Sequence, residues 1–392
     1  MNLLMLNYEY PPLGGGGGVI HRQIAEELAN RHRVTVITSA FRGLPRHEHA
    51  GGVEIFRVPV IGRWSRTTAS LVSMLSYYPA SLRCARRLIT QRPPTLINSH
   101  FAVPTGPSAM RLARQFRLPH VLSIHGGDIY DPTKTLSPHR LPAVRGLVRR
   151  VLVQADRIVA PSRNTRANAQ RYYAFSGAIE VIPHGLKHPD LPPRARAELG
   201  LTEVQRVVAT VGRLVLRKGV AQLVHLIAAL GDAQVVLVVV GDGPERERLQ
   251  TLAHRLGLGQ RVRFVGAVDD AAKYRWLQAA DVFVSASVHE GFGLMYLEAM
   301  HCGLPIVAYD HGGQEDFLAD GITGYLVPLG AESSFCDRLR LLLEQPTLRT
   351  SIGRHNRNVA RAFTIESCAG QYETVYREVL ATTEAGAFPA EP

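Results

Sequence analysis

Short runs rich in Val, Ile and Leu alternate with longer amphipathic stretches along most of the chain, and this alternation constrains the fold more than any other feature. An apolar run without polar alternation is the pattern of a strand buried on both faces. That burial belongs to parallel sheets, whose strands are joined by crossover helices. In the first half the expected strands are Asn2 to Leu6, Arg33 to Thr38, Val53 to Val58, Thr95 to Ser99, His120 to Ile124, Arg157 to Ala160 and Ile179 to Ile182. Helical patterns lie between them, among them Val19 to Asn30, Thr105 to Phe116 and Ser162 to Tyr173.

After Pro183 the texture changes to KHPDLPPRARAELG, whose prolines sustain neither a helix nor a sheet ladder. A second alternating series follows, with expected strands at Arg206 to Val211, Gln234 to Val240, Val262 to Val265, Val282 to Ser285, Pro305 to Ala308 and Gly324 to Val327. Helical patterns from Ala331 to Leu343, Thr347 to Phe363 and Ile365 to Leu380 close the chain. A length of 392 residues exceeds what one core usually serves. The expected organisation is therefore an α/β chain of two Rossmann-like parallel-sheet domains, residues 1–185 and 206–363, joined by a linker at 186–205. Residues 364–382 are expected to form a helix returning to the first domain, and 383–392 a disordered tail.

Hydrophobic residues at 46% and charged residues at 20% are values of a globular chain. The four cysteines are scattered, with neither disulfide nor zinc-ligand spacing. The opening MNLLMLNYEYPP does not read as a signal peptide, and no apolar stretch is long enough to span a bilayer, so a cytoplasmic setting is expected. The net charge of +12 attracts phosphate-bearing partners. Arginines gather at 83, 86, 87 and 92 and again between 140 and 171. Charge alone leaves open nucleic acid, anionic lipid, a charged acceptor, or simply a solvated surface.

Open parallel sheets bind ligands beyond the carboxyl ends of their strands, so the residues that follow strands carry the functional information. Gly14 to Gly18 follow the first strand and precede a helix, where bare backbone N–H groups can approach an anion. The run is not G-x-G-x-x-G, and no acidic residue ends the next strand at Thr38 as a nicotinamide dinucleotide would want. In VGRLVLRKG, Arg213 and Lys218 follow a strand and offer two cations for a pyrophosphate leaving group. In EGFGLMYLEAM, Glu290 ends a strand loop and Glu298 lies on the ensuing helix. Two carboxylates so placed can accept hydrogen bonds from sugar and ribose hydroxyls, with the intervening amides near phosphate.

Glu290-x7-Glu298, with Arg213 and Lys218 upstream and Pro305 to Ala308, Gly312, Gly313 and Gly324 downstream, resembles the retaining GT-B glycosyltransferases of family 4. The resemblance runs from the early glycine loop to the last helices and implies two domains facing a central cleft. It implies that Glu298 holds the ribose and Glu290 the donor sugar, with Gly291, Phe292, Gly293 and Leu294 beside sugar and phosphate. Arg213 and Lys218, with Gly16 and Gly17, would meet the diphosphate. His125, in SIHGGD, resembles the family's active-site histidine, and Asp128, Asn98 and His100 resemble acceptor-side positions. Base contacts are expected from backbone near Gly241 and Gly266. One departure is IPHGL, where His184 stands in place of the asparagine that many members carry.

No Asp-x-Asp occurs, so no metal and no cofactor are expected, and the nucleotide-diphosphate sugar is a co-substrate. The expected reaction is sugar transfer with retention to a glycan, lipid-linked or small-molecule acceptor, by front-side displacement. A nucleotide-sugar epimerase and, more remotely, a nicotinamide-dependent dehydrogenase are the competing readings. The segment RWSRTTASLVSMLSYYPASLRCARRLI mixes apolar, aromatic and basic residues. It is expected either to lie on an anionic membrane, placing the protein peripherally on its inner face, or to form an ordinary helix pair. Nucleic acid is not an expected partner, because no basic-aromatic module is recognisable.

Overall fold

The structure, a computed structural model, describes residues 1–386 apart from Thr67, Asp190, Pro193 and Arg194. The chain divides into two compact units, residues 1–185 with 364 onward, and residues 186–363.

In the first unit the elements run β1 (Asn2–Asn7), α1 (Gly16–Ala29), β2 (Arg33–Ser39), β3 (His47–Ala50), β4 (Val53–Val58), α2 (Leu71–Gln91), β5 (Leu96–His100), α3 (Gly106–Phe116), β6 (His120–Ser123), α4 (Pro142–Gln154), β7 (Arg157–Ala160), α5 (Arg163–Tyr173) and β8 (Glu180–Val181). The sheet order is β3-β4-β2-β1-β5-β6-β7-β8, parallel except for β3, which is antiparallel to β4. Strand order reverses between β1 and β5, so the crevice of this sheet opens where the glycine loop after β1 meets the end of β5.

In the second unit they run β9 (Arg206–Val211), α6 (Val220–Leu230), β10 (Val235–Val240), α7 (Arg246–Arg255), β11 (Val262–Gly266), α8 (Asp270–Gln278), β12 (Val282–Ser285), α9 (Leu294–His301), β13 (Ile306–Tyr309), β14 (Gly324–Val327), α10 (Glu332–Glu344) and α11 (Pro346–Ala360). The order is β11-β10-β9-β12-β13-β14, all parallel. The VVLVVV run of β10 is buried at every position, as a strand covered on both faces must be. The reversal here falls between β9 and β12.

The last helix, α12 (Ile365–Gly386), packs on α1 within the first unit. The chain leaves that unit at Gly185, where an added Cβ would lie 1.9 Å from the carbonyl oxygen of Thr364, the residue at which it returns. Only glycine permits the two passing backbones to come that close.

Several local expectations need correction. Most of the mixed apolar and basic segment falls in one 21-residue helix, Leu71–Gln91, with Pro79 inside it, not in a helix pair; it begins at a Ser70–Ser73 capping box. Strand β3, HEHA, is not among the expected strands because it is polar and largely exposed. Most of the expected linker is second-unit structure, since Leu186 and Leu201 are buried in that unit's core. Helix α12 extends through Gly386 into the expected tail, whose residues 387–392 lie outside the described region.

Candidate active site

The two strands that flank the reversal of the second sheet carry the acidic and basic residues expected there. From the end of β9 the chain passes Arg213 and makes a 3₁₀ turn at Leu216–Lys218. Val215 N donates to the carbonyl of Arg213 and Lys218 N to that of Val215, which aims the Lys218 side chain at the loop after β12. Its Nζ lies 2.7 Å from Glu290 Oε1, while Arg217 Nη1 lies 3.2 Å from Glu290 Oε2. Glu290 is only 6% exposed. Burial alone would raise its carboxyl, but Lys218 and Arg217, with a hydrogen bond from Ser287, outweigh burial and hold it at about 2. Glu290 is therefore a carboxylate throughout the physiological range. It accepts hydrogen bonds and is useless as a proton donor.

Glu298, eight positions on, sits buried on α9 with its Oε1 2.6 Å from Lys273 Nζ of α8. Gly293 caps α9 with φ 94°, a conformation that aims the first amides of the helix into the loop. Gly312 makes the loop possible from the other side: at φ 133°, an added Cβ would stand 2.8 Å from Glu290 O. Gly313 N then donates to that same oxygen at 2.8 Å. Gly291 and Leu294 are half-buried, and Phe292 spends its ring on the core, 5.0 Å from that of Phe317. Gly241 N donates to Gly266 O at 2.9 Å, and a Cβ on Gly241 would lie 2.0 Å from Gly212 O, so three strand ends meet there through bare backbone.

The corresponding strand ends of the first unit hold a chain of imidazoles, those of His21, His100 and His184 buried and that of His125 half-buried. Asn7 Nδ2 and His21 Nδ1 are 2.9 Å apart, the rings of His21 and His100 lie 3.9 Å apart, and His100 Nδ1 is 2.9 Å from His125 Nε2. His184 continues the series, its ring 5.5 Å from that of His125. Burial pulls all four below the ordinary histidine value, His21 and His125 to about 3, so the chain is neutral. The buried Nδ1 of His125 makes no hydrogen bond among the described residues. Gly17 packs against this group: an added Cβ would lie 2.6 Å from Phe101 Cζ and 3.6 Å from His125 Cγ. Gly16 is the first residue of α1, directly before it.

Three residues expected on the acceptor side serve inside the unit instead. Asn98 is fully buried, donating to Val121 O and Ser123 Oγ and accepting from Tyr376 OH of α12. Asp128 accepts from Ala102 N at 2.7 Å and His125 N at 2.9 Å, which fixes the His125 loop. The side chain of His100, fully buried, meets neighbouring rings and the His125 nitrogen among the described residues. Sequence reasoning missed Arg217, Lys273 and His21. Arg217 adjoins Lys218 and was open to discovery, whereas nothing in AAKYRW marks Lys273.

The chain matches the Glycosyltransferase Family 4 model over residues 14–188 and Glycosyl transferases group 1 over residues 193–359. The 2-deoxystreptamine N-acetyl-D-glucosaminyltransferase of Streptomyces fradiae is 30% identical over 93% of this chain and 89% of its own length. This chain belongs to the group 1 glycosyltransferases. Among solved structures, the sucrose-phosphate synthase of Thermosynechococcus elongatus superposes with a TM-score of 0.87 at 26% identity, over 97% of this glycosyltransferase and all of that chain. Anabaena HepE, solved in complex with UDP-glucose, superposes at 0.74 with 21% identity, over 97% of this chain and all of that chain. The glycosyltransferase thus has the GT-B fold, and Glu290 with Lys218 in its second unit and His100 with His125 in its first stand at or just beyond the carboxyl ends of their strands.

Proposed function

We propose that this glycosyltransferase moves a hexosyl group with retention from a nucleotide-diphosphate sugar to an acceptor hydroxyl, without a required metal. The observation that carries the reading is the buried contact of Glu290 with Lys218 and Arg217 at the reversal between β9 and β12. Arg213 and Lys218 neutralise the departing diphosphate, and the amides at the start of α9 add partial positive charge. Glu290, permanently ionised, accepts from the sugar hydroxyls, and Glu298 accepts from the ribose, each carboxylate preorganised by its lysine. Gly241 and Gly266 offer backbone to the base. His125 stays neutral and contacts the sugar near the reacting carbon. In a front-side displacement the bond from the anomeric carbon to phosphate oxygen breaks as the acceptor oxygen attacks the same face, and the acceptor proton passes to the leaving phosphate.

The names of the relatives support a nucleotide-sugar donor and a hydroxylated acceptor; UDP-glucose is the ligand of the Anabaena protein. An anionic membrane surface is a further part of the proposal. Ile61, Trp64, Leu71, Val72, Leu75 and Tyr78 are all exposed along one short segment, and Arg83, Arg86 and Arg87 follow it. That is the composition of an interfacial helix with a basic flank. No helix among the described residues is long and apolar enough to cross a membrane.

The test is thermal-shift screening of UDP, GDP and ADP with their sugars, followed by incubation of the stabilising donor with and without candidate acceptors. Product with retained anomeric configuration, formed only when acceptor is present, is expected. Free epimer from donor alone would replace the proposal with an epimerase. Stabilisation by nicotinamide dinucleotides and by none of the sugar nucleotides would replace it with a dehydrogenase.

A further inference from the structure

At the opposite end of the first sheet, a hairpin gathers three residues that transfer chemistry does not use. Strands β3 and β4 are joined by Gly51 and Gly52, both at positive φ (55° and 77°), the requirement of a tight two-residue hairpin turn. That turn fixes the register: Ala50 pairs with Val53, His49 with Glu54 and His47 with Phe56. Residues two apart share a face, so His47, His49, Glu54 and Phe56 stand together on one side of the ribbon. Phe56 stacks on His47 with ring centroids 4.3 Å apart and planes 12° from parallel, which holds that imidazole in place.

His47 Nε2 lies 3.2 Å and His49 Nε2 3.9 Å from the same oxygen, Glu54 Oε1, and one ligand atom from each residue falls within 4.8 Å of the others. Two ligands each about 2.0–2.1 Å from a tetrahedral ion are separated by roughly 3.4 Å, so these spacings need only a small rotation to close on one ion. Two imidazoles and a carboxylate are the donors that borderline divalent ions take, and calcium or magnesium would want oxygen in their place.

We propose that His47, His49 and Glu54 form a three-ligand site for a zinc-class divalent ion that clamps this edge hairpin. The fourth position is left to water. Strand β3 is four residues long and lies at the edge of the sheet, where one backbone side is unpaired, and a metal clamp ties it to β4 through side chains. Glu54 and Phe56 also line a groove of about 190 Å³ with Thr35, Arg87 and Arg92, which gives a hydrated ion a way in. The two guanidinium groups there oppose a cation, and with one ligand fewer than a closed structural site the affinity is expected to be micromolar. The site stands at the amino ends of β2 and β4, so it is independent of the sugar-transfer reading.

The experiment is calorimetric titration of the metal-stripped full-length protein with Zn²⁺, paired with the visible spectrum of its Co²⁺ form. One equivalent bound at micromolar affinity with a tetrahedral cobalt spectrum is expected. His49→Ala and Glu54→Gln should each weaken binding by about tenfold or more, the loss expected when one ligand of three goes. His225→Ala, at an exposed position of α6, is the control for adventitious imidazole binding and should change nothing. Zn²⁺ should raise the melting temperature of the wild type and not of Glu54→Gln, whose metal-free melting should match the wild type. Binding no tighter than about 1 mM, or binding that survives both hairpin substitutions, would overturn the site.

Discussion

Lys218 Nζ stands 2.7 Å from Glu290 Oε1 although 72 residues separate them in the chain; the Glu290 side chain is buried and that of Lys218 is largely so, 14% exposed. The contact joins the loops after β9 and β12, the two strands that flank the reversal of the second sheet. Lys218→Met should leave Arg217 beside Glu290 and destabilise the second unit by about 3 kcal/mol, the low end for breaking a buried pair. Lys218→Met with Glu290→Gln should recover most of that loss while activity stays absent. Urea unfolding of the two single variants and the double variant gives the coupling, and strict additivity would refute the pairing.

Acid should unfold the first unit early. His21, His100, His125 and His184 have folded values below 6.5, so the fold favours their neutral forms. The stability this gives is complete above 6.5 and is lost as pH falls towards the folded values, about 3 for His21 and His125. Asp128 acts in the opposite sense: burial, partly offset by the N–H groups of Ala102 and His125, raises it from 3.8 to about 6, so its protonation favours the fold and offsets one histidine. Each uncompensated histidine contributes up to about 1.4 kcal/mol per pH unit. Urea midpoints between neutral and mildly acidic pH should fall, and His100→Asn should make the fall shallower.

Gly312 and Gly231 both have positive φ, yet only one supports the site. A Cβ on Gly312 collides with the Glu290 backbone, whereas one on Gly231 meets nothing within 4 Å. Gly312→Ala should shift the carboxylate and lower kcat by about a hundredfold, the cost of misplacement near 1 Å. Gly231→Ala should cost only stability. Steady-state kinetics and melting curves of the two variants distinguish these outcomes.

The exposed apolar residues from Ile61 to Tyr78 predict binding to liposomes that contain anionic lipid, weakened by salt and by Leu75→Glu. Flotation measures this directly. Transfer to a water-soluble acceptor should be unaffected by the same substitution, because Leu75 is 67% exposed and lies outside the site. Equal flotation of Leu75→Glu and wild type would assign the patch elsewhere.

Much of this was legible in the residue order. Strands β9, β10 and β12 appear within a residue or two of their expected places, because a strand buried on both faces has few polar positions to blur its ends. Glu290 and Glu298 could be singled out because glycines and a helix start surround them. Strand β3 was invisible, since an exposed edge strand carries no apolar signal, and its His-Glu-His pattern acquires meaning only when Glu54 is placed across from it.

Local sequence by itself determined that the chain alternates strand and helix in two series, because burial period and turn chemistry act over a few residues. Only the tertiary structure decided which distant side chains share a charge or a proton. Lys273 with Glu298, Lys218 with Glu290, and His100 with His125 each depend on strand order. Strand order is set by packing over the whole sheet, and no short stretch of residues encodes it.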